Sequence, residues 1–485
     1  MLTITLKYKD MKKSLSILIL VFTLASCMSE EKLHLNASRD LSIRTVGISK
    51  EKSFLGEEDA EMVAYIHRYG SVLTKSSYRE IIESVEPICD EEGNTLMYVV
   101  NYAENEGFVI VSATKDYYPI LVDVQEGQYD RTRMEGCGAG IFMDVYRSQI
   151  EKILLDKAAI GEQEQMIIYN QWIPFEKQDF FVGMPTKSMN DELIDLVEAS
   201  MEQWESEGKN YYYLGQGRPQ YMSEEMYEQF IQMASEQANE NYDYMENSFI
   251  LEYSYGIQHN ILPLMNTAWG DFSFIINNNP HTTYYTGSSP IAVGQIMAFH
   301  RYPINLDWNL IISNADGFSR DEFLKDITME MSNPDNMTPY SNYVTIDEIR
   351  TYLSAKGYTS QKVTHSYSSV EGSLLANRPV LMTGVKRTTN ASILHSHTWV
   401  CDGIREFPNE IIYELKVLSY YDPMTYETAY TASVPFERSS IYHMNWGEYG
   451  YGNGYYTDAQ VDYPLVRTNL VNIKRGIAIV DPFNP

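Results

Sequence analysis

Two apolar runs, Leu96-Met-Tyr-Val-Val-Asn101 and Gly107-Phe-Val-Ile-Val-Ser112, flank the polar stretch Ala103-Glu-Asn-Glu106. The runs are short, rich in Val, Ile and Tyr, and separated by a hairpin-length break. They predict an antiparallel β-hairpin. Pro119-Ile-Leu-Val-Asp-Val predicts a third strand. Asp59 to Tyr69 predicts a helix with Ala60, Val63, Ala64 and Ile66 on its inner face, and Phe142 to Leu155 is apolar at helical spacing. Together these elements predict a small α+β domain over residues 50–165.

That domain accounts for a fraction of the chain. Its 485 residues exceed one ordinary core, so two or three domains are expected. The net charge is −29. Such an acidic balance excludes the basic face that nucleic acid requires, and a polybasic patch for anionic lipid. Four cysteines, Cys27, Cys89, Cys137 and Cys401, do not make a disulfide framework. A Cys89–Cys137 bridge and buried free thiols both remain open. Residues 166–250 differ from their surroundings. Asp191–Glu207 and Ser223–Asn241 are acidic and helix-favouring, with Gly215, Gly217 and Pro219 as breakers between them. They predict two exposed helices that bridge neighbouring domains.

At the N-terminus, Lys12 and Lys13 precede an apolar run from Leu15 to Leu24. The run has the length of a signal-peptide core and is too short to span a bilayer. It ends in Leu24-Ala25-Ser26-Cys27, which resembles a bacterial lipobox. Residues 1–27 are therefore expected to be a lipoprotein signal peptide, with Cys27 lipidated. The following Met28-Ser29-Glu30-Glu31 resembles the acidic tag of surface-exported lipoproteins. Residues 28–49, polar and aperiodic, are expected to be a tether. The expected location is the outer membrane or the cell surface, with the membrane engaged through a lipid anchor.

Residues 251–485 carry the chemistry. In order come Pro263-Leu-Met-Asn-Thr-Ala-Trp269-Gly-Asp271 and Tyr285-Thr-Gly287-Ser288-Ser-Pro-Ile-Ala-Val-Gly-Gln295-Ile-Met-Ala-Phe-His300. Asn377-Arg-Pro-Val380, Ser396-His397-Thr-Trp399-Val-Cys-Asp402-Gly403 and His443-Met-Asn445-Trp446-Gly-Glu448-Tyr-Gly450 follow. Five pieces in this order and spacing resemble the streptopain family of papain-like cysteine peptidases. Residues 96–130 resemble its propeptide and the related Spi inhibitor domain. The resemblance implies an α+β fold, a papain-like domain preceded by a small Spi-like one. It also implies cysteine-type endopeptidase activity on a peptide or protein ligand, and no cofactor.

In a papain-like site the nucleophile opens a buried helix. The helix dipole and a neighbouring imidazole then favour the thiolate. Here the resemblance puts Ser288 at the nucleophile position, His397 at the general base and Asp271 at the Gln that donates to the oxyanion. Asn445, Trp446 and Glu448 become the surroundings of the His. A serine hydroxyl ionises far less readily than a thiol. Asp271 offers a charge where a donor is needed, and losing one such donor costs about 2.7–4 kcal/mol. The expectation is a degenerate, exported peptidase homologue, inactive or very weak. Other readings stay open. One is a non-catalytic protein that binds a peptide or an active peptidase as an inhibitor. Another is a Ser288–His397–Glu448 serine hydrolase. A plainer one makes Ser288-Ser289-Pro290 an ordinary helix start, with Ser as N-cap, and His397 a core histidine. A zinc site from His395, His397 and His443 lacks a fourth ligand.

Overall fold

The computed structural model describes residues 44–482 apart from 46, 71, 74–79, 157–159, 178–190, 238–242, 255–258, 276–282, 332–343, 364–366, 388–393, 423 and 458–475. The expected signal segment with Cys27, and the expected tether up to residue 43, lie outside the described residues. The last tether residues are ordered into short strands: Arg44–Thr45 pairs with Val72–Leu73, and Ile48–Ser49 runs parallel to Glu176–Lys177.

Helix α1 (Glu57–Tyr69) begins where the Asp59 carboxylate accepts from the Gly56 N–H, and carries its acids in the first turn and His67 and Arg68 in the last. Both features suit the helix dipole. It buries Ala60, Val63, Ala64 and Ile66 against four antiparallel strands: β1 (Ile82–Cys89), β2 (Thr95–Tyr102), β3 (Phe108–Ser112) and β4 (Ile120–Val124). The β2–β3 hairpin is the one its apolar runs predict. Helix α2 (Arg131–Gly136) is capped by Asp130, whose side chain accepts from Thr132 and Arg133 N–H. Helix α3 (Gly138–Leu155) and helix α4 (Glu162–Trp172) complete this part. Cys89 is exposed, Cys137 and Cys401 are buried, and all three are free thiols.

The acidic stretch departs from expectation. Helices α5 (Asp191–Ser206) and α6 (Glu224–Gln237) are present. They are not exposed bridges. Leu193, Val197, Met201 and Trp204 of α5 and Phe230 and Ala234 of α6 are buried. What covers them is a four-stranded sheet of β5 (Asn210–Tyr213), β6 (Phe249–Tyr253), β10 (Glu410–Leu418) and β11 (Tyr426–Pro435), in spatial order β11-β10-β6-β5. Strand β6 crosses the expected boundary at residue 251, and the β10–β11 hairpin comes from between two of the C-terminal motifs. This accessory module is therefore assembled from two distant chain segments, 191–253 and 410–435.

The C-terminal part has helix α7 (Ser288–His300), α8 (Ser319–Met331) and α9 (Ile346–Ala355) packed on antiparallel strands. Those strands are β7 (Tyr358–Val363), β8 (Val380–Arg387), β9 (Leu394–Phe407), β12 (Ser439–Asn445), β13 (Gly454–Thr457) and β14 (Gly476–Pro482). The main sheet does not stop at the domain boundary. Its order is β7-β14-β8-β9-β12-β13-β4-β3-β2-β1, with the short strand His259–Ile261 added beside β9. The fold is α+β, and one sheet runs through both expected domains.

Candidate active site

Helix α7 is apolar nearly all round, with Ser289 to Ala298 buried, because helices, strands and the Trp269 segment surround it. The turn before it needs Gly287, whose φ is +75°, a conformation that glycine adopts without steric cost. Gly287 is the N-cap and Ser288 is the first helical residue. This corrects the expectation that a serine caps the helix. No side chain at the cap position does that work. The Asp271 carboxylate instead holds the turn that leads into the helix: its Oδ1 accepts from the Gly287 N–H at 2.9 Å and from the Thr286 hydroxyl at 2.5 Å. An anion at the positive end of a helix is favourable placement.

Ser288 Oγ accepts from the Thr398 N–H at 3.1 Å, and the neighbouring Ser289 Oγ bonds Thr398 Oγ1 at 2.8 Å. These contacts lock the start of α7 to strand β9, next to His397. The His397 Nε2–H donates to the Trp446 carbonyl at 2.9 Å, which leaves Nδ1 as the ring's acceptor. Burial lowers the pKa of His397. The Trp446 carbonyl and the Asp271 charge oppose that shift without cancelling it, so the ring is neutral at pH 7. Among the described residues, no hydrogen bond joins Ser288 to His397 or His397 to Glu448.

The remaining expected residues divide. Trp446 packs beside His397, with ring centroids 6.2 Å apart, and also against Trp399 and Tyr456. Among the described residues, Asn445 makes no hydrogen bond to His397. Its Oδ1 accepts from Gln295 Nε2 at 3.0 Å and from Gly447 N–H, and its Nδ2 donates to the Thr267 carbonyl. It ties α7 to the Trp269 segment. Glu448 lies against that segment through a bridge to Gly270. Burial and the Asp271 charge push its carboxyl up to about 7, with Arg133 opposing them. His443 is engaged elsewhere, its Nδ1 on Asp402 Oδ1 at 2.6 Å. The His395 side chain lies outside the described residues.

Several neighbours were invisible to motif reading. Tyr449, at φ +55°, lies over Gly270 and donates its hydroxyl to the Asp271 carbonyl at 2.6 Å. Gly138, the first residue of α3, sits so close to the site that a Cβ there would overlap His397 Cδ2 and Trp446 Cε3. Cys137, just before it, is buried, and its thiol is pushed up to about 11 by that burial. Residues from the N-terminal domain thus close one side of the site.

This is a helix-borne hydroxyl bonded one residue along β9 from a histidine ring that packs on Trp446. Residues 326–456 match the Peptidase C10 family. That is the streptopain family, and residues 52–150 match the Spi protease inhibitor family. The peptidase match contains His397, Asn445, Trp446 and Glu448, and begins after Asp271 and Ser288. Among solved structures, a mutant prointerpain A fragment from Prevotella intermedia is 10% identical with a TM-score of 0.36. It covers 83% of this chain and 99% of its own. The active wild-type interpain A cysteine protease of the same organism is 13% identical with a TM-score of 0.28, over 46% and 97% of the two chains. No curated protein matches the sequence. A streptopain-type domain and a Spi-type domain together make this a protease-related protein with protein or peptide ligands.

Proposed function

We propose that this chain is a degenerate streptopain-type peptidase homologue that keeps a peptide-binding cleft and hydrolyses little or nothing. The observation that carries the reading is the Asp271 carboxylate tied to Gly287 N–H and Thr286 at the start of α7. Acyl transfer needs donors aimed where negative charge develops. Here a fixed negative charge already sits at the helix start, held by the Gly287 N–H and the Thr286 hydroxyl. A neutral His397, bonded to a backbone carbonyl and not to Ser288, supports the same reading. So does the lack of any hydrogen bond linking Ser288, His397 and Glu448 into a serine triad among the described residues.

The test restores the missing parts in turn. Ser288→Cys supplies a thiol at the helix start, and it should react with iodoacetamide faster than an unactivated thiol. Peptide hydrolysis should stay poor until Asp271→Gln is added, which should raise turnover by about 10²–10³-fold. Full activity from Ser288→Cys alone, or turnover by the unaltered chain that Ser288→Ala abolishes, would defeat the reading.

The export features belong to the same proposal: Cys27 is acylated and the chain is held at the outer membrane or cell surface. Labelled fatty acid should enter the wild type and not Cys27→Ala. Equal labelling of both would end this part of the proposal.

A further inference from the structure

Spi-type domains are read from sequence as propeptides or inhibitors, segments that leave or act on another molecule. The junction in this chain has a different character. Strand β4 pairs with β13 from Val122↔Tyr456 to Val124↔Gly454, so the main sheet crosses the junction through backbone hydrogen bonds. Contact is so close at Gly454 that a Cβ would meet the Asp123 carbonyl at 2.5 Å. On the face of this sheet, Phe142 of α3 packs edge-on against Trp446, Tyr456 and Trp399, at centroid distances of 5.6, 5.7 and 6.0 Å. All four side chains are buried and belong to one apolar core that contains residues of both domains.

Polar groups at the junction are paired across it. The buried Asp123 accepts from Arg405 Nη1 at 2.8 Å and faces His67 Nε2 at 3.1 Å. Against the cost of burial, His67 and Arg405 hold its carboxyl well below the usual range, so it stays ionised in mild acid. Tyr146 donates to the Thr457 carbonyl at 2.8 Å, and Thr457 Oγ1 donates to the Ile120 carbonyl at 2.7 Å, both buried. Gln171 and Asn170 of α4 reach Ser439 and Ser254. A core cut in half, an ionised pair and an opened sheet edge would all face water on separation.

We propose that the Spi-type domain is a permanent subunit of this fold, which stays bound when the backbone between it and the peptidase-like part is cut. It is therefore not free to inhibit a second peptidase in trans. This stands independently of whether Ser288 is active, because it concerns the junction and not the chemistry.

The test uses the full chain with a specific protease site placed between Lys177 and Asp191. After cleavage, the two fragments should co-elute at the size of the intact chain, unfold in one thermal transition, and stay together on dilution into the nanomolar range. Arg405→Ala leaves Asp123 buried without its cross-junction cation, and should raise the dissociation constant of the cut chain by about 10²-fold or more. Circular dichroism of the same variant uncut shows whether it still folds. Release of the N-terminal fragment from the cut wild type without denaturant would overturn the proposal, whether the remainder stays soluble or aggregates. If Arg405→Ala folds normally and does not loosen the cut chain, the assigned junction is wrong.

Discussion

Asp271 and Glu448 are two neighbouring carboxyls, and the charge of the first acts on the second. Asp271 is held by Gly287 and Thr286, while Glu448, half-enclosed and facing that charge, keeps its proton up to about pH 7. A carboxyl whose pKa is raised on folding adds stability below its unfolded value. That contribution is lost as pH rises through the folded value. The wild type should therefore lose stability relative to Glu448→Gln between about pH 4.5 and about pH 7, measured by urea denaturation across that range. Asp271→Asn should move the same window toward lower pH, since it removes the neighbouring charge. An unchanged window would place the two groups too far apart to interact. The motif pattern located both residues, but it could not show that Asp271 holds the Thr286–Gly287 turn before α7.

Among the elements, α3 is the one whose start matters most to the site. Gly138 lets its first turn lie on His397 and Trp446. Gly138→Ala inserts a methyl where both rings stand, and should cost roughly 1–3 kcal/mol through displaced side chains. Gly136, at the end of α2, has nothing within reach of an added Cβ. Gly136→Ala should therefore stay within about 0.5 kcal/mol of wild type, which makes it the control in the same thermal unfolding series. The local signals for these elements were readable. Asp130 caps α2, the β2–β3 hairpin follows its two apolar runs, and α1 has an acidic start and a basic end. The proximity of α3 to His397 was not readable, because the two are more than 250 positions apart and no short-range pattern encodes their meeting.

Over the whole molecule, one buried carboxylate joins four parts of the chain. Glu252 of β6 is fully buried. It accepts from Tyr169 of α4 and Tyr212 of β5, each at 2.7 Å, and lies 3.5 Å from Lys50 Nζ near the N-terminal end of the described chain. Lys50 also stands over the Tyr212 ring at 4.3 Å. Lys50→Met should destabilise the fold by roughly 3–5 kcal/mol, because it leaves the Glu252 charge buried without its cation. Adding Glu252→Gln should recover part of that loss. Calorimetry of the single and double variants checks both, and additive losses would show that the pair does not interact. The same node explains why α5 and α6 are not free bridges: β5 and β6 bring the acidic stretch onto the β10–β11 hairpin, and the apolar stripes of both helices then have a sheet to cover.

By itself the sequence determined the local elements, the α+β class and the order of the motifs. Each of these depends on periodicity, capping and turn residues within a few positions of one another. The tertiary structure alone decided three things. One sheet passes through both domains. The accessory module draws on two distant segments, and the Asp271 side chain folds onto the turn before α7. The first two depend on strands that meet across more than a hundred residues, and the third on a side chain that meets a turn 15 and 16 positions away. Burial, hydrogen-bond satisfaction and charge pairing select such meetings only once the chain is folded.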